Sequence, residues 1–337
     1  MERTCLSDRE HLLLEWLNTV LPVAPDRMAP ASSDASFRRY FRVWYDGQTR
    51  IVMDAPPDKE DCRPFVAIGQ AMRGLGLNTP EVLAGDFDQG LLLLTDLGSR
   101  QYLAELDERS VTGLYDDALA ALACLQTGGD PGSPLLPPYD SALLHREMEL
   151  FRDWFLGRQL GFNLREDEHQ VLDHTFALLA NNALEQPKVW VHRDYHSRNL
   201  MVTDPDNPGV LDFQDAVVGA VTYDLVSLLR DCYVAWPREQ VESWALAHRA
   251  RLRTLGMSGL DDAEQFLRWF DLMGTQRHLK AIGIFARLNL RDGKPGYLRD
   301  IPRTLGYVLA VADRYPDLAA LRAMLLARQV DRWEPSS

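Results

Sequence analysis

The chain has 337 residues, 46% of them hydrophobic and 25% charged, the make-up of an ordinary globular protein long enough for two lobes with a cleft. A net charge of -13 argues against a nucleic-acid partner, because a phosphate backbone demands a basic face. Cys5, Cys62, Cys124 and Cys232 have no metal-ligand spacing and read as free thiols in a reducing compartment; with no signal-peptide core and no apolar run long enough for a bilayer, a cytoplasmic protein without membrane partners is expected.

Residues 7–21 read as a helix. Ser7 and Glu10 form a capping box, Leu13, Leu14, Leu17, Val20 and Leu21 form an apolar stripe, and Pro22, Pro25 and Pro30 end it. Residues 37–45 and 49–54 read as a hairpin turning at Asp46-Gly47. The small polar loop before it, ending at Ser36, is either an ordinary entry loop or a cradle whose N–H groups cover phosphates. A helix over 62–75 and strands over 82–85 and 91–94 complete a small antiparallel sheet.

Beyond Thr95-Asp96-Leu97-Gly98 the pattern is helical: 110–125, 140–160, 166–183, 237–255, 261–288, 301–313 and 318–327. Arg146, Glu147 and Glu149 read as a solvated face rather than sugar contacts. Residues 276–303 are locally basic, with Arg277, Lys280, Arg287, Arg291, Lys294, Arg299 and Arg303. They read as solvated helix faces or as a subsite for an anion.

The chemistry concentrates in residues 191–213. A strand ending at Val191 leads into His192-Arg193-Asp194-Tyr195-His196-Ser197-Arg198-Asn199, and a second begins at Leu200. A third, Val210-Leu211, delivers Asp212-Phe213. This spacing fits phosphoryl transfer, which asks a protein to position a nucleophile and hold Mg²⁺. Asp194 is placed to accept the proton of an attacking hydroxyl; Asn199 and Asp212 supply the hard oxygen ligands that Mg²⁺ takes beside phosphates and water. His192 reads as a packing residue under the loop in preference to a base, His196 as a surface residue, and either Gln214 or Asp215 as an orienter of Asp212.

The loop and Leu211-Asp212-Phe213 resemble the aminoglycoside phosphotransferase and choline kinase superfamily, small-molecule relatives of protein kinases. Asp34-Ala35-Ser36-Phe37-Arg38-Arg39-Tyr40-Phe41, Val52-Met53-Asp54-Ala55-Pro56-Pro57, Leu94-Thr95-Asp96-Leu97-Gly98 and Gln276-Arg277-His278-Leu279-Lys280 are similar, more narrowly, to bacterial anomeric sugar kinases acting on N-acetylmuramate and N-acetylglucosamine in cell-wall recycling. The resemblance implies an α+β, bilobal protein-kinase-like fold. Residues 1–97 would form a nucleotide-binding lobe with a small antiparallel sheet, and 98–337 a larger, mostly helical lobe. It further implies a monomer using ATP and Mg²⁺ on a small sugar, Thr95 and Leu97 bonding adenine through their backbone, and Asp224 hydrogen-bonding back to the catalytic loop.

One departure stands out. Kinases carry a phosphate-binding Lys in the strand over 50–54, where this chain has Met53; its lysines are Lys59, Lys188, Lys280 and Lys294. Arg38 or Arg39 is expected to replace it, guanidinium being well matched to phosphate. Other small-alcohol acceptors, such as an aminoglycoside or choline, remain open, as does a nucleotide-binding pseudokinase scaffold. The conjunction of Asp194, Asn199 and Asp212 argues against the last.

Overall fold

The structure, a computed structural model, describes residues 8–32 and 37–335. Ser7 of the expected capping box, Cys5, Ser36 and the rest of the loop over 33–36 lie outside these. The chain forms two compact units, residues 1–100 with 201–214 and residues 101–200 with 215–337. The sequence division at 97/98 therefore misses one return of the chain. Residues 201–214 cluster with the first unit because Val210 N–H donates to the Asn78 carbonyl (2.8 Å) and Phe213 packs on Phe65 (4.8 Å between ring centroids).

The first unit is an antiparallel sheet with two helices. Helix α1 (Asp8–Val20) is followed by β1 (Arg27–Ser32), β2 (Arg39–Tyr45), β3 (Gln48–Asp54), α2 (Arg63–Gly74), β4 (Val82–Asp86) and β5 (Leu91–Thr95), and the strand order is β1-β2-β3-β5-β4. Strand β1 was not legible: its Pro30 reads as a breaker. The strand lies at the sheet edge, where a proline costs no ladder bond, and its register shifts between Pro30 and Ser32. Asp46 (φ 46) and Gly47 (φ 68) both take the left-handed backbone that a two-residue hairpin turn needs. Alternation then buries Phe41, Val43 and Tyr45 on one face of β2, against Leu13, Trp16, Leu17 and Leu21 near or within α1. Each such side chain contributes roughly 2 kcal/mol by leaving water.

The second unit is mainly helical: α3 (Tyr102–Glu105), α4 (Val111–Gly128), α5 (Ser141–Leu150), α6 (Glu166–Glu185), α7 (Tyr223–Leu229), α8 (Arg238–Thr254), α9 (Ala263–Asp292), α10 (Ile301–Arg314) and α11 (Ala319–Ala327). The helix expected over 140–160 changes character halfway, residues 151–159 forming a wider π-helical segment. Where this segment begins, α9 crosses so closely that a Cβ on Gly283 would come within 2.3 Å of the Leu150 carbonyl carbon. Two short ladders flank the reactive loop. Strand β6 (Lys188–Val191) pairs with β9 (Val217–Ala220), and β7 (Leu200–Met201) with β8 (Gly209–Val210). The strands before and after the loop thus belong to different ladders, and β9 is an element the sequence reading did not place.

Candidate active site

Residues 192–199 are held by two buried carboxylates from one short stretch. Asp224, in the first turn of α7, accepts the backbone N–H groups of His192 (2.6 Å) and Arg193 (3.0 Å). Those bonds hold Arg193 at φ 76, which a residue with a side chain rarely adopts. Burial pushes the Asp224 carboxyl up to about 7, against the opposing pull of the two amides. Asp231, just past α7, accepts the Ser197 N–H (2.9 Å) and hydroxyl and, with its other oxygen, the Tyr233 N–H (2.9 Å). Sequence reasoning missed Asp231. Its seven-residue spacing from Asp224, two helical turns, was the available signal. Tyr195 ties the loop to α4 through its hydroxyl and the Ala118 carbonyl (2.8 Å).

Within this frame His192 is fully buried, and its Nδ1 accepts the Asp194 N–H at 3.3 Å. The ring sets the backbone at Asp194. Asp194 is half-buried. Burial raises its pKa, but Lys280, His196, Arg277 and Arg193 outweigh that and bring it down to about 2. Asp194 is therefore a carboxylate in a cationic setting, and a weak base. Asn199 donates its amide nitrogen to the Asp194 carbonyl (3.0 Å); its amide oxygen is the kind of hard donor Mg²⁺ takes.

Three expectations about this unit need correction. Glu147 is buried, bound by Arg193, the Tyr139 hydroxyl and Lys280 (3.2 Å); burial opposes ionisation, yet Lys280 and Arg193 hold its pKa below the usual value. His196 is buried and set edge-on to Tyr233 (5.4 Å), not at the surface. Arg277 and Lys280, at the start of the basic segment, are buried as well. A residue-by-residue solvation argument missed all four because their partners lie far apart in sequence: Glu147 meets Lys280 and Arg193, and His196 and Arg277 sit in the field of Asp194 and Asp231.

In the first unit, Asp212 stands at φ 63 and accepts the Gln214 side-chain amide at 2.7 Å, so Gln214 rather than Asp215 holds it. Phe213 lies against Phe65 and Gly69 of α2, and a Cβ on Gly69 would meet its ring at 3.0 Å. Arg38 pairs with Glu60 at 3.0 Å, while Arg39 pairs with the buried Asp54 (2.5 Å), which Arg9 also engages (2.7 Å). Met53 is fully buried in β3. Thr95 ends β5 with its N–H on the Glu81 carbonyl (3.0 Å), and Leu97 follows it. Between them Asp96 takes a two-pronged contact from Arg42 (2.6 and 3.0 Å) and the Gly98 N–H. Burial raises the Asp96 pKa, but the Arg42 and Gly98 bonds prevail and keep it below the ordinary carboxylate value. Among the described residues no group of three or more His, Cys, Asp or Glu side chains is arranged to hold a metal.

The phosphotransferase enzyme family, APH, matches residues 27–274, about three quarters of the sequence and the whole of the reactive loop. The chain belongs to this family. Over 92% of its length it is 47% identical to the N-acetylmuramate/N-acetylglucosamine kinase of Pseudomonas aeruginosa, covering 94% of that protein. Over 94% it is 42% identical to the Neisseria meningitidis protein of the same name, covering 95% of it. Among solved structures, choline kinase LicA from Streptococcus pneumoniae matches with a TM-score of 0.60 at 13% identity, over 90% of this chain and all of that one. The ADP-bound aminoglycoside phosphotransferase APH(2'')-Ib matches with a TM-score of 0.57 at 16% identity, over 89% and 98%. At such identities the structural likeness concerns the fold, which is kinase-like and α+β. As a family member the chain is an ATP-dependent small-molecule kinase. No helix among its described residues is long and apolar enough to cross a membrane.

Proposed function

We propose that this phosphotransferase moves the γ-phosphoryl group of ATP onto the anomeric hydroxyl of N-acetylmuramate or N-acetylglucosamine. The observation that carries this is the 42–47% identity, over more than nine tenths of the chain, to kinases named for these two sugars. In the reaction the anomeric oxygen forms a bond to the γ-phosphorus as the bond to the β,γ-bridging oxygen breaks. ADP leaves, and the hydroxyl proton passes to Asp194. The anomeric hydroxyl is more acidic than an ordinary alcohol because the ring oxygen stabilises its anion, and it suits a carboxylate that is a weak base.

Asn199 and Asp212 are the proposed protein ligands of Mg²⁺, which when bound neutralises charge on the phosphates. Arg38 is the better placed of the two arginines to contact phosphate. Its Glu60 partner repeats the cation–glutamate pairing kinases build around their strand lysine, whereas Arg39 is committed to Asp54. Thr95 and Leu97 are the proposed donors of backbone groups to adenine, and Ser36, before the hairpin in sequence, is the proposed phosphate contact.

The test is phosphorus NMR on product made from each sugar with Mg·ATP. A phosphomonoester resonance coupled to the C1 proton is expected, and ADP release without a sugar phosphate contradicts the reading. Asp194→Ala should abolish turnover while leaving ATP binding in place; appreciable residual turnover removes Asp194 from its role.

A further inference from the structure

The base has a cationic neighbour that no step so far uses. Arg277 is only 5% exposed. Its single hydrogen bond among the described residues runs from Nη1 to the Cys232 thiol at 3.8 Å, and Nε has no partner. Other buried cations of the same unit have a carboxylate: Lys280 has Glu147 (3.2 Å), and Arg230 has Asp271 (2.5 Å). A guanidinium stays charged when buried; Asp194 and Asp231 favour the charge of this one from a distance, but among the described residues it has no directly bonded carboxylate. Such a group is poised to receive one.

Helical spacing identifies what adjoins it. Arg277, Ala281 and Phe285 succeed one another at four-residue intervals on one face of α9, spanning about 12 Å. The two ends are buried, but Ala281 between them is half-exposed, so solvent reaches this face there. Phe285 stacks on Tyr297 (5.6 Å, 19°) and approaches Tyr233 (6.2 Å). Tyr233 in turn lies against His196 (5.4 Å between ring centroids), which is two residues along the chain from Asp194. The face thus carries a cation, a small open position and an aromatic wall, beside the base.

We infer that Arg277 is the receptor for a carboxylate on the acceptor. It binds the lactyl carboxylate of N-acetylmuramate, with the sugar ring over Ala281 and against the Phe285 and Tyr297 side. N-acetylglucosamine, which lacks that group, leaves the guanidinium as it is in the free protein. This rests on the sugar-kinase reading above and adds the residue that separates its two acceptors. A bidentate guanidinium–carboxylate contact is worth a ten- to hundredfold preference.

The experiment compares kcat/KM for N-acetylmuramate, its neutral methyl ester and N-acetylglucosamine in the wild type, Arg277→Gln and Arg277→Lys. Because Arg277 also acts on Asp194, both sugars should slow in Arg277→Gln, and the readout is their ratio. The N-acetylmuramate to N-acetylglucosamine ratio is expected to fall ten- to hundredfold, mostly through KM, with acid and ester becoming equivalent and Arg277→Lys recovering part. In the wild type the ester should already be the poorer substrate by the same factor, a comparison that needs no variant to fold. Equal losses for both sugars, or acid and ester handled alike by a wild type that phosphorylates N-acetylglucosamine, overturn the assignment while leaving the sugar-kinase reading intact. A wild type that phosphorylates neither sugar brings down that reading, and this inference with it.

Discussion

Replacing Asp224 by alanine removes the acceptor of two buried amides, those of His192 and Arg193. Each bond contributes roughly 0.5–1.5 kcal/mol to the protonated carboxyl and roughly 1.5–3 kcal/mol to the ionised one, and the left-handed Arg193 backbone they hold costs about 1 kcal/mol without them. The carboxyl itself is costly to ionise: a pKa carried from 3.8 to about 7 corresponds to roughly 4 kcal/mol. A raised folded-state pKa makes the contribution of Asp224 to stability complete below pH 3.8 and progressively lost as pH rises to about 7. The destabilisation caused by Asp224→Ala should therefore be largest near pH 4, shrink by a few kcal/mol towards pH 7, and level off above. Catalysis should not recover in the same way, because a base displaced by about 1 Å loses on the order of a hundredfold in rate at any pH. Thermal melts across this pH range, kcat at pH 8 and hydrogen exchange of the His192 and Arg193 amides provide the readouts. A variant with kcat within threefold of wild type, or with those two amides as protected as before, would refute the view that Asp224 holds the loop in its reactive shape.

Other substitutions probe other links. Arg38→Ala should weaken ATP binding at least tenfold by calorimetry, Glu60→Ala less so, with the double variant no worse than Arg38→Ala alone; unchanged affinity in Arg38→Ala removes the arginine from the phosphate site. Gly283→Ala sets a methyl group 2.3 Å from the Leu150 carbonyl carbon, where only backbone can give way, and should cost about 2 kcal/mol or more, seen as a drop of several degrees in Tm. His248, fully enclosed with Nε2 on the Gln126 side-chain oxygen (2.9 Å), has its pKa pulled down to about 3 by burial and by Arg251. A depressed histidine contributes stability that is complete above its unfolded value of about 6.5 and lost as pH falls from there towards 3. Chemical denaturation of His248→Gln between pH 6.5 and 4 should accordingly show a pH slope of stability lower than wild type by about 1 kcal/mol per pH unit; an unchanged slope would mean that His248 already protonates freely in the folded protein.

Local chemistry made much of this protein readable. Asp46-Gly47 has one economical backbone, and it dictated the hairpin; apolar period marked α1, α2 and the long helices; the run from His192 to Phe213 announced phosphoryl transfer because that chemistry needs a base and hard oxygen donors at short, fixed spacing. Features that depend on what a residue meets across the fold were settled only by tertiary structure. Pro30 sits in a strand because that strand is an edge, and residues 151–159 widen into a π segment where Gly283 lets α9 press on Leu150. Glu147, His196, Arg277 and Lys280 are ordinary polar residues one at a time. Together, from three separate segments, they enclose charge around Asp194, and the free energy of a buried charge is set by its partners in space rather than by its neighbours in sequence.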